Sequence, residues 1–375
     1  MISTFQIVVP VYNEEDVLPR ILALAASGGY LDRIVFVDDA STDGSRAVLR
    51  QWVGSHAIRV VFLDKNRKKE GAIREGLELL ENAGTLAPYT VLLDSDSFIT
   101  HSTDGTSIVA AIEHAIASMR ERGLAGLAFR IDAAIDASSN WIERCAFADY
   151  ASAQFDHWVT SHQRQLWVIN GPGGLFRSDL LLETLRGMQP DFETGDLLIT
   201  AKLMRQGHPV AFHPDIQVQT FVPNTIKTYF AQRRRWERGT TKVIWWERAF
   251  YARLFQRGRL PAISTAIHLS LYVGIVMAAI GMSSPSVDAI SWIAVSYLAW
   301  LLINLTKGLC NVRMRREGHW PTYVVFCTAN GILWIFVTVW ARCAGFTDAV
   351  RFLVRSRGVS AKSQADSDTA VIELS

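Results

Sequence analysis

Cysteine is scarce in this sequence: 375 residues carry four, Cys145, Cys310, Cys327 and Cys343. None stands at the spacing of a disulfide framework or of a metal-ligating pair, which excludes both and leaves reduced thiols. An excess of one charge is missing too. The 38 Lys and Arg nearly cancel the 36 Asp and Glu, for a net +2, so net charge gives no reason to invoke nucleic acid, and none is expected as a partner. Nor is a cleavable leader expected. The first apolar run, residues 5–11, is short and ends in a Pro-Val-Tyr-Asn turn.

What is present falls into two parts. The first half alternates β-branched runs with amphipathic stretches. FQIVVPV, RIVFVDD, IRVVFLD and YTVLLDSD read as strands too apolar to be half exposed, which suits a mainly parallel sheet covered on both faces. Between them, 17–26, 45–52 and 70–81 read as helices. In the last, Ile73, Leu77 and Leu80 share one face, while Arg74, Glu75, Glu78 and Glu81 face water. Such alternation implies a doubly wound α/β sheet, whose ligands bind beyond the carboxyl ends of its strands. Asp38, Asp39, Asp94 and Asp96 all fall at such ends.

After residue 260 the composition changes. Residues 262–282, 289–306 and 322–341 are uncharged stretches of 21, 18 and 20 residues, long enough to cross a bilayer at 1.5 Å rise per residue. Residues 232–259 hold nine Lys and Arg against two Glu, and the loop 307–316 holds Lys307, Arg313, Arg315 and Arg316. Both are expected on the cytoplasmic side. The tail has the same charge bias, which three spans do not allow, so either one segment is interfacial or the tail departs from the rule.

Four strings can carry chemistry. In Leu93-Asp94-Ser95-Asp96, two carboxylates past a buried strand can share Mg2+ or Mn2+, hard cations that keep positions for phosphate oxygens; a solvated turn is the plainer alternative. In Asp38-Asp39-Ala40-Ser41, one carboxylate can accept from a base N–H or ribose hydroxyls, while the downstream Ser and Thr cap a helix. In Glu193-Thr194-Gly195-Asp196, Asp196 is either a helix-capping residue or a general base for an acceptor hydroxyl. Gln232-Arg233-Arg234-Arg235-Trp236 is either a basic interfacial helix or a guanidinium for diphosphate beside an indole for a sugar ring.

In this order, Pro10-Val-Tyr-Asn-Glu14, VDDAS, LDSDS, Gly-Asp before Leu-Ile-Thr, and QRRRW resemble the motif set of the processive family-2 glycosyltransferases, the group of hyaluronan, chitin and cellulose synthases. The segment Asn170-Gly171-Pro172-Gly173-Gly174 is more similar to the chitin and hyaluronan branch. The resemblance implies an α/β fold: a GT-A (Rossmann-like) nucleotide-sugar domain followed by interfacial and transmembrane helices. It divides the chain into a cytoplasmic catalytic domain at 1–225, basic interfacial helices at 226–260, about three membrane helices at 261–345 and a tail at 346–375. It implies a UDP-sugar donor, with Tyr12 stacking on uracil and Glu14 and Asp39 at the nucleoside. Lys69 and Arg235 match diphosphate contacts, Asp94 and Asp96 the donor and metal site (Mg2+ or Mn2+), and Asp196 the base. Gln232 and Trp236 match positions near the acceptor.

Two departures stand out. Gly195 precedes the base where relatives usually carry Glu or Asp, and no membrane segment precedes the catalytic domain. The expected activity is inverting transfer of a hexose or N-acetylhexosamine to a growing β-linked glycan at the cell membrane. Three spans are few for a secretion channel, so a homodimer, an export partner or a short product is expected. The alternatives are transfer to a lipid-linked acceptor and a non-catalytic nucleotide-sugar-binding subunit. The intact acids speak against the latter. A transporter is disfavoured by a first span without charge.

Overall fold

The computed structural model describes residues 3–55, 58–102, 105–161, 166–188, 193–256, 298, 302, 340–341 and 343–353. The three apolar segments expected to span a membrane lie, apart from four positions, outside these residues. Among the described residues, no helix is long and apolar enough to cross a membrane.

The chain begins with β1 (Phe5–Val11), α1 (Leu18–Ser27), β2 (Ile34–Asp38), α2 (Ser45–Ser55), β3 (Arg59–Phe62), α3 (Lys68–Asn82) and β4 (Tyr89–Leu92). Alternation along the strands sorts side chains to two faces. Ile7, Val9, Ile34 and Phe36 join one core with Leu18, Leu22 and Leu49, while Val8, Val35 and Val37 join the other with Ile73 and Leu77 of α3. Each such side chain, fully buried, contributes roughly 1.5–3 kcal/mol, which is why these strands read as continuous apolar runs. Gly76 lets α3 approach the sheet: a Cβ there would lie 2.6 Å from Cγ2 of Val37.

The second half adds β5 (Ser97–Ser102), α4 (Ile108–Arg122), β6 (Gly126–Ala133), α5 (Trp141–Ser161), β7 (Gly174–Arg177), α6 (Ser178–Arg186), α7 (Gly195–Arg205) and β8 (Val210–Thr220). One eight-stranded sheet results, in the order β3-β2-β1-β4-β7-β6-β8-β5. The pairings among β3, β2, β1 and β4 are parallel, as is β6 with β8; β7 and β5 run antiparallel to their neighbours. The sheet is therefore mixed, and the mainly parallel arrangement holds for the first half. Residues 93–96 leave the middle of the sheet at β4 and lead to β5 at its far edge. The helices α8 (Ile226–Trp246) and α9 (Arg248–Gln256) follow. A capping box between Thr225 and Thr228 starts α8, and Asn140 Nδ2, donating to the carbonyl of Asn224 at 2.7 Å, ties that start to α5.

Candidate active site

The rim of the cleft is built where β1 and β2 end. The three described non-glycine residues with positive φ all lie here: Asn13 (58°), Ala40 (58°) and Lys68 (64°). Such conformations cost of order 1–3 kcal/mol each and collect at functional sites. Hydrogen bonds hold the two loops together. The Asn13 N–H donates to Ser41 Oγ at 3.1 Å, the Thr42 N–H to Asn13 Oδ1 at 2.8 Å, and the Glu14 N–H to Ser45 Oγ at 2.8 Å. Tyr12 is exposed on this rim. The two aspartates of VDDAS separate in role. Asp38 is fully buried and pairs with Arg46 at 2.5 Å. Asp39 Oδ1 accepts from the Arg67 N–H at 2.6 Å, just before α3, and burial raises its carboxyl above the ordinary range.

The floor gathers residues from four parts of the chain. Lys69, on the first turn of α3, forms an ion pair with Asp94 past β4. Burial disfavours the ammonium charge, but Asp94, Asp196 and Glu70 outweigh it and hold the Lys69 pKa above its ordinary value. Asp96 accepts from Ser97 Oγ at 2.9 Å and Thr220 Oγ1 at 3.3 Å, and burial, reinforced by Asp94, raises its pKa. Ser95 Oγ donates to Glu14 Oε1 at 3.2 Å, so the rim meets the Asp94–Asp96 segment directly. Burial, with Asp96 beside it, raises the Glu14 carboxyl.

Asp196, on the first turn of α7, accepts from the Gly171 N–H at 3.1 Å on one oxygen and its own neighbour's N–H, at Leu197, at 2.8 Å on the other. Burial raises its pKa, against the pull of Lys69. Gly171 is close to the other groups of the floor as well: a Cβ there would stand 2.6 Å from Lys69 Nζ and 3.5 Å from Asp94 Oδ1. The Asn-Gly-Pro-Gly-Gly string thus earns its glycine by close approach to the charged groups.

The far wall is α8. Helical phase turns the three arginines of its basic string in different directions. Arg233 is buried, pairs with Asp149 of α5 at 2.6 Å, and lies 4.5 Å over the Trp236 ring and 4.7 Å over that of Tyr229. Arg234 pairs with Asp348 at 2.7 Å. Arg235, the arginine matched to the diphosphate by resemblance, is exposed. Trp236 meets Tyr150 edge-on, with ring centroids 6.4 Å apart. Burial raises the Tyr150 phenol, and Asp96 and Asp94 act on it in the same direction, which puts this wall within electrostatic reach of the floor. Gln232 Oε1 is buried without a hydrogen-bond partner among the described residues. Glu193 joins α8 to the turn that carries Asp196: Arg238 Nε reaches it at 2.9 Å and Lys242 Nζ at 3.0 Å.

Asp149, Tyr150 and Glu70 stand outside the sequence motifs. Arg233 stands inside one of them, and only the phase of α8 singles it out. Among the described residues, no group of three or more His, Cys, Asp or Glu side chains is placed to hold a metal ion.

Residues 6–123 match glycosyl transferase family 2, and residues 89–342, more than half of the chain, match glycosyl transferase family group 2. The chain belongs to the family 2 glycosyltransferases. This family 2 protein is 24% identical over 297 residues to a poly-beta-1,6-N-acetyl-D-glucosamine synthase of Staphylococcus epidermidis, covering 78% of this chain and 63% of the synthase. It is 36% identical over 101 residues to an undecaprenyl-phosphate 4-deoxy-4-formamido-L-arabinose transferase of Edwardsiella ictaluri, covering 25% of this chain and 30% of that protein. The chain thus spans less than two thirds of the length of either relative. A mannosyltransferase from Pyrobaculum calidifontis, solved with GDP-Man and Mn2+, shares the α/β GT-A-like fold with a TM-score of 0.53 and 17% identity, over 91% of this chain and 88% of that one.

Proposed function

We propose that this chain transfers a sugar from a UDP-sugar to the end of a growing β-linked glycan, with inversion, at the cytoplasmic face of the cell membrane. The observation that carries this reading is the convergence of Lys69, Asp94, Asp96 and Asp196 beyond the strand ends. In this reading Tyr12, Glu14 and Asp39 receive the nucleoside, and Lys69 turns from Asp94 to the diphosphate. Arg235 is available from the solvent side of α8. Asp196, oriented by two backbone N–H groups, takes the proton of the acceptor hydroxyl as that oxygen attacks the anomeric carbon and UDP departs. Its raised pKa suits a base. Trp236 and the unpaired oxygen of Gln232 offer the acceptor a stacking face and a hydrogen-bond acceptor.

The floor also fits Mg2+ or Mn2+. Asp94 and Asp96 bring hard oxygen donors close enough for one charge to raise the other's pKa, a strain that a divalent cation relieves. With no third protein acid beside them among the described residues, the remaining positions would fall to diphosphate oxygens and water. Held there, such an ion would supply positive charge against the leaving diphosphate. The membrane seat is supported by the three uncharged segments and the basic residues of 232–259.

A second reading, transfer of a single sugar to a lipid-linked acceptor, draws on the likeness to the undecaprenyl-phosphate transferase. One experiment tests both: membranes holding the full chain are given a panel of radiolabelled UDP-sugars with Mn2+ or EDTA, and products are sized. Polymeric product dependent on metal, falling by roughly two to four orders of magnitude in Asp196→Asn, supports the first reading. Single-sugar lipid products support the second. Turnover unaffected by EDTA and by Asp196→Asn overturns both.

A further inference from the structure

The apolar stripe of α3 runs through Ile73, Leu77 and Leu80, and Glu70 lies on the same stripe, three residues before Ile73. It is 8% exposed, a carboxyl where helical spacing calls for an apolar side chain. Its end lies against the first residue of α7. A Cβ on Gly195 would fall on the Glu70 carboxyl carbon and oxygen, far inside contact distance. No side chain fits at 195 while Glu70 occupies this place. The carboxyl is under the influence of Lys69, Asp196 and Asp94 together, so it belongs to the floor of the cleft and not to a separate pocket.

We propose that Glu70 is a positioning residue of the transfer site, filling from α3 the space beside the base that a side chain at 195 would fill from α7, and placing a second carboxyl there. Glu70 and Gly195 form one unit: the acid that the sequence resemblance leads one to expect at 195 is delivered by another helix. The physical role follows from the neighbours. Two backbone N–H groups and the Lys69 ammonium favour the ionised form of Asp196 and weaken it as a base. Burial raises the Glu70 carboxyl to about 7; above that pH its like charge works in the opposite sense, raising the proton affinity of Asp196 and sharing Lys69 with it. The α7 N-terminus, where the N-cap Thr194 makes no side-chain cap, favours an anion at this place.

The proposal rests on Asp196 being the base, and the test separates the two. Full-length variants in membranes are assayed with whichever UDP-sugar of the panel the unaltered chain turns over fastest, recording kcat, donor KM and Tm. Glu70→Gln keeps the volume and loses the charge. Its kcat is expected to fall about tenfold or more, the scale of one unit of base strength, with donor KM and folding retained. Glu70→Gly and Gly195→Glu are each expected to be impaired, and the double variant Glu70→Gly/Gly195→Glu to recover most of the lost rate. Glu70→Gln at unaltered kcat, or a folded double variant no better than Glu70→Gly, overturns the proposal. If Asp196→Asn is itself fully active, the assignment of the base fails instead.

Discussion

The Gly171 N–H donates to Oδ2 of Asp196 while the Gly171 Cα faces the Lys69 ammonium, so one glycine touches both a carboxylate and the cation of the floor. Gly171→Ala would place a methyl 2.6 Å from Lys69 Nζ. The lysine end can swing away, so the fold should survive with a Tm within a few degrees of the unaltered chain. The Lys69–Asp94 pair should not survive. Donor KM is expected to rise about tenfold, the equivalent of ~1.4 kcal/mol, as measured by titration of UDP-sugar turnover; an unchanged KM would place the diphosphate elsewhere.

Trp236 decides between a polymerase and a single-transfer enzyme. Its ring is held under Arg233 and against Tyr150, leaving part of the indole open. Stacking on a sugar is worth ~1–3 kcal/mol, by analogy with bases on aromatic platforms. Losing it would shorten the residence of a glycan about 5- to 150-fold. Trp236→Ala should therefore give shorter products or futile UDP-sugar hydrolysis, with donor binding kept. Unchanged product length in a folded variant would remove the indole from the acceptor site.

Stability should depend on pH through Glu70. Burial is the main cause lifting its carboxyl from 4.5 to about 7, with Lys69 opposing. The folded state thus holds this proton more tightly than the unfolded one. The stabilisation is fully present below about pH 4.5 and is lost as pH rises through about 7. Glu70→Gln carries no proton to lose, so its Tm should gain on the unaltered chain across that window, by a few kcal/mol at most in stability. Thermal melts at pH 4.5 and pH 7.5 without added metal give the comparison. A Tm difference independent of pH would mean that Glu70 titrates as it does in the unfolded chain.

The parts legible in the sequence are those fixed by local pattern. The expected strand FQIVVPV is β1 to the residue, and the helix read at 70–81 is α3, because burial on both faces and a 3.6-residue period leave plain signatures. Pairing between distant segments leaves none. The four residues of β7 gave no period to read, and the polar β5 reaches the sheet edge only through β8. In the site, the acids at strand ends were visible as motifs. Their geometry was not: that Arg233 turns inward depends on the phase of α8, and that Asp38 is occupied depends on Arg46. Glu70 did leave a signal, an acid on an apolar stripe, which reads as a helix-start residue until Gly195 is seen against it.

The contacts of Glu193 have a mechanical side. Arg238 and Lys242 grip a carboxylate three residues ahead of Asp196, and Gly239 between them lets α8 come so near that a Cβ there would lie 2.9 Å from the backbone nitrogen of Thr194. The turn carrying Asp196 is thereby bolted to the helix that leads towards the apolar segments. Two ion pairs and a close backbone approach thus couple α8 to the Asp196 turn, so a shift of α8 is expected to carry that carboxylate with it.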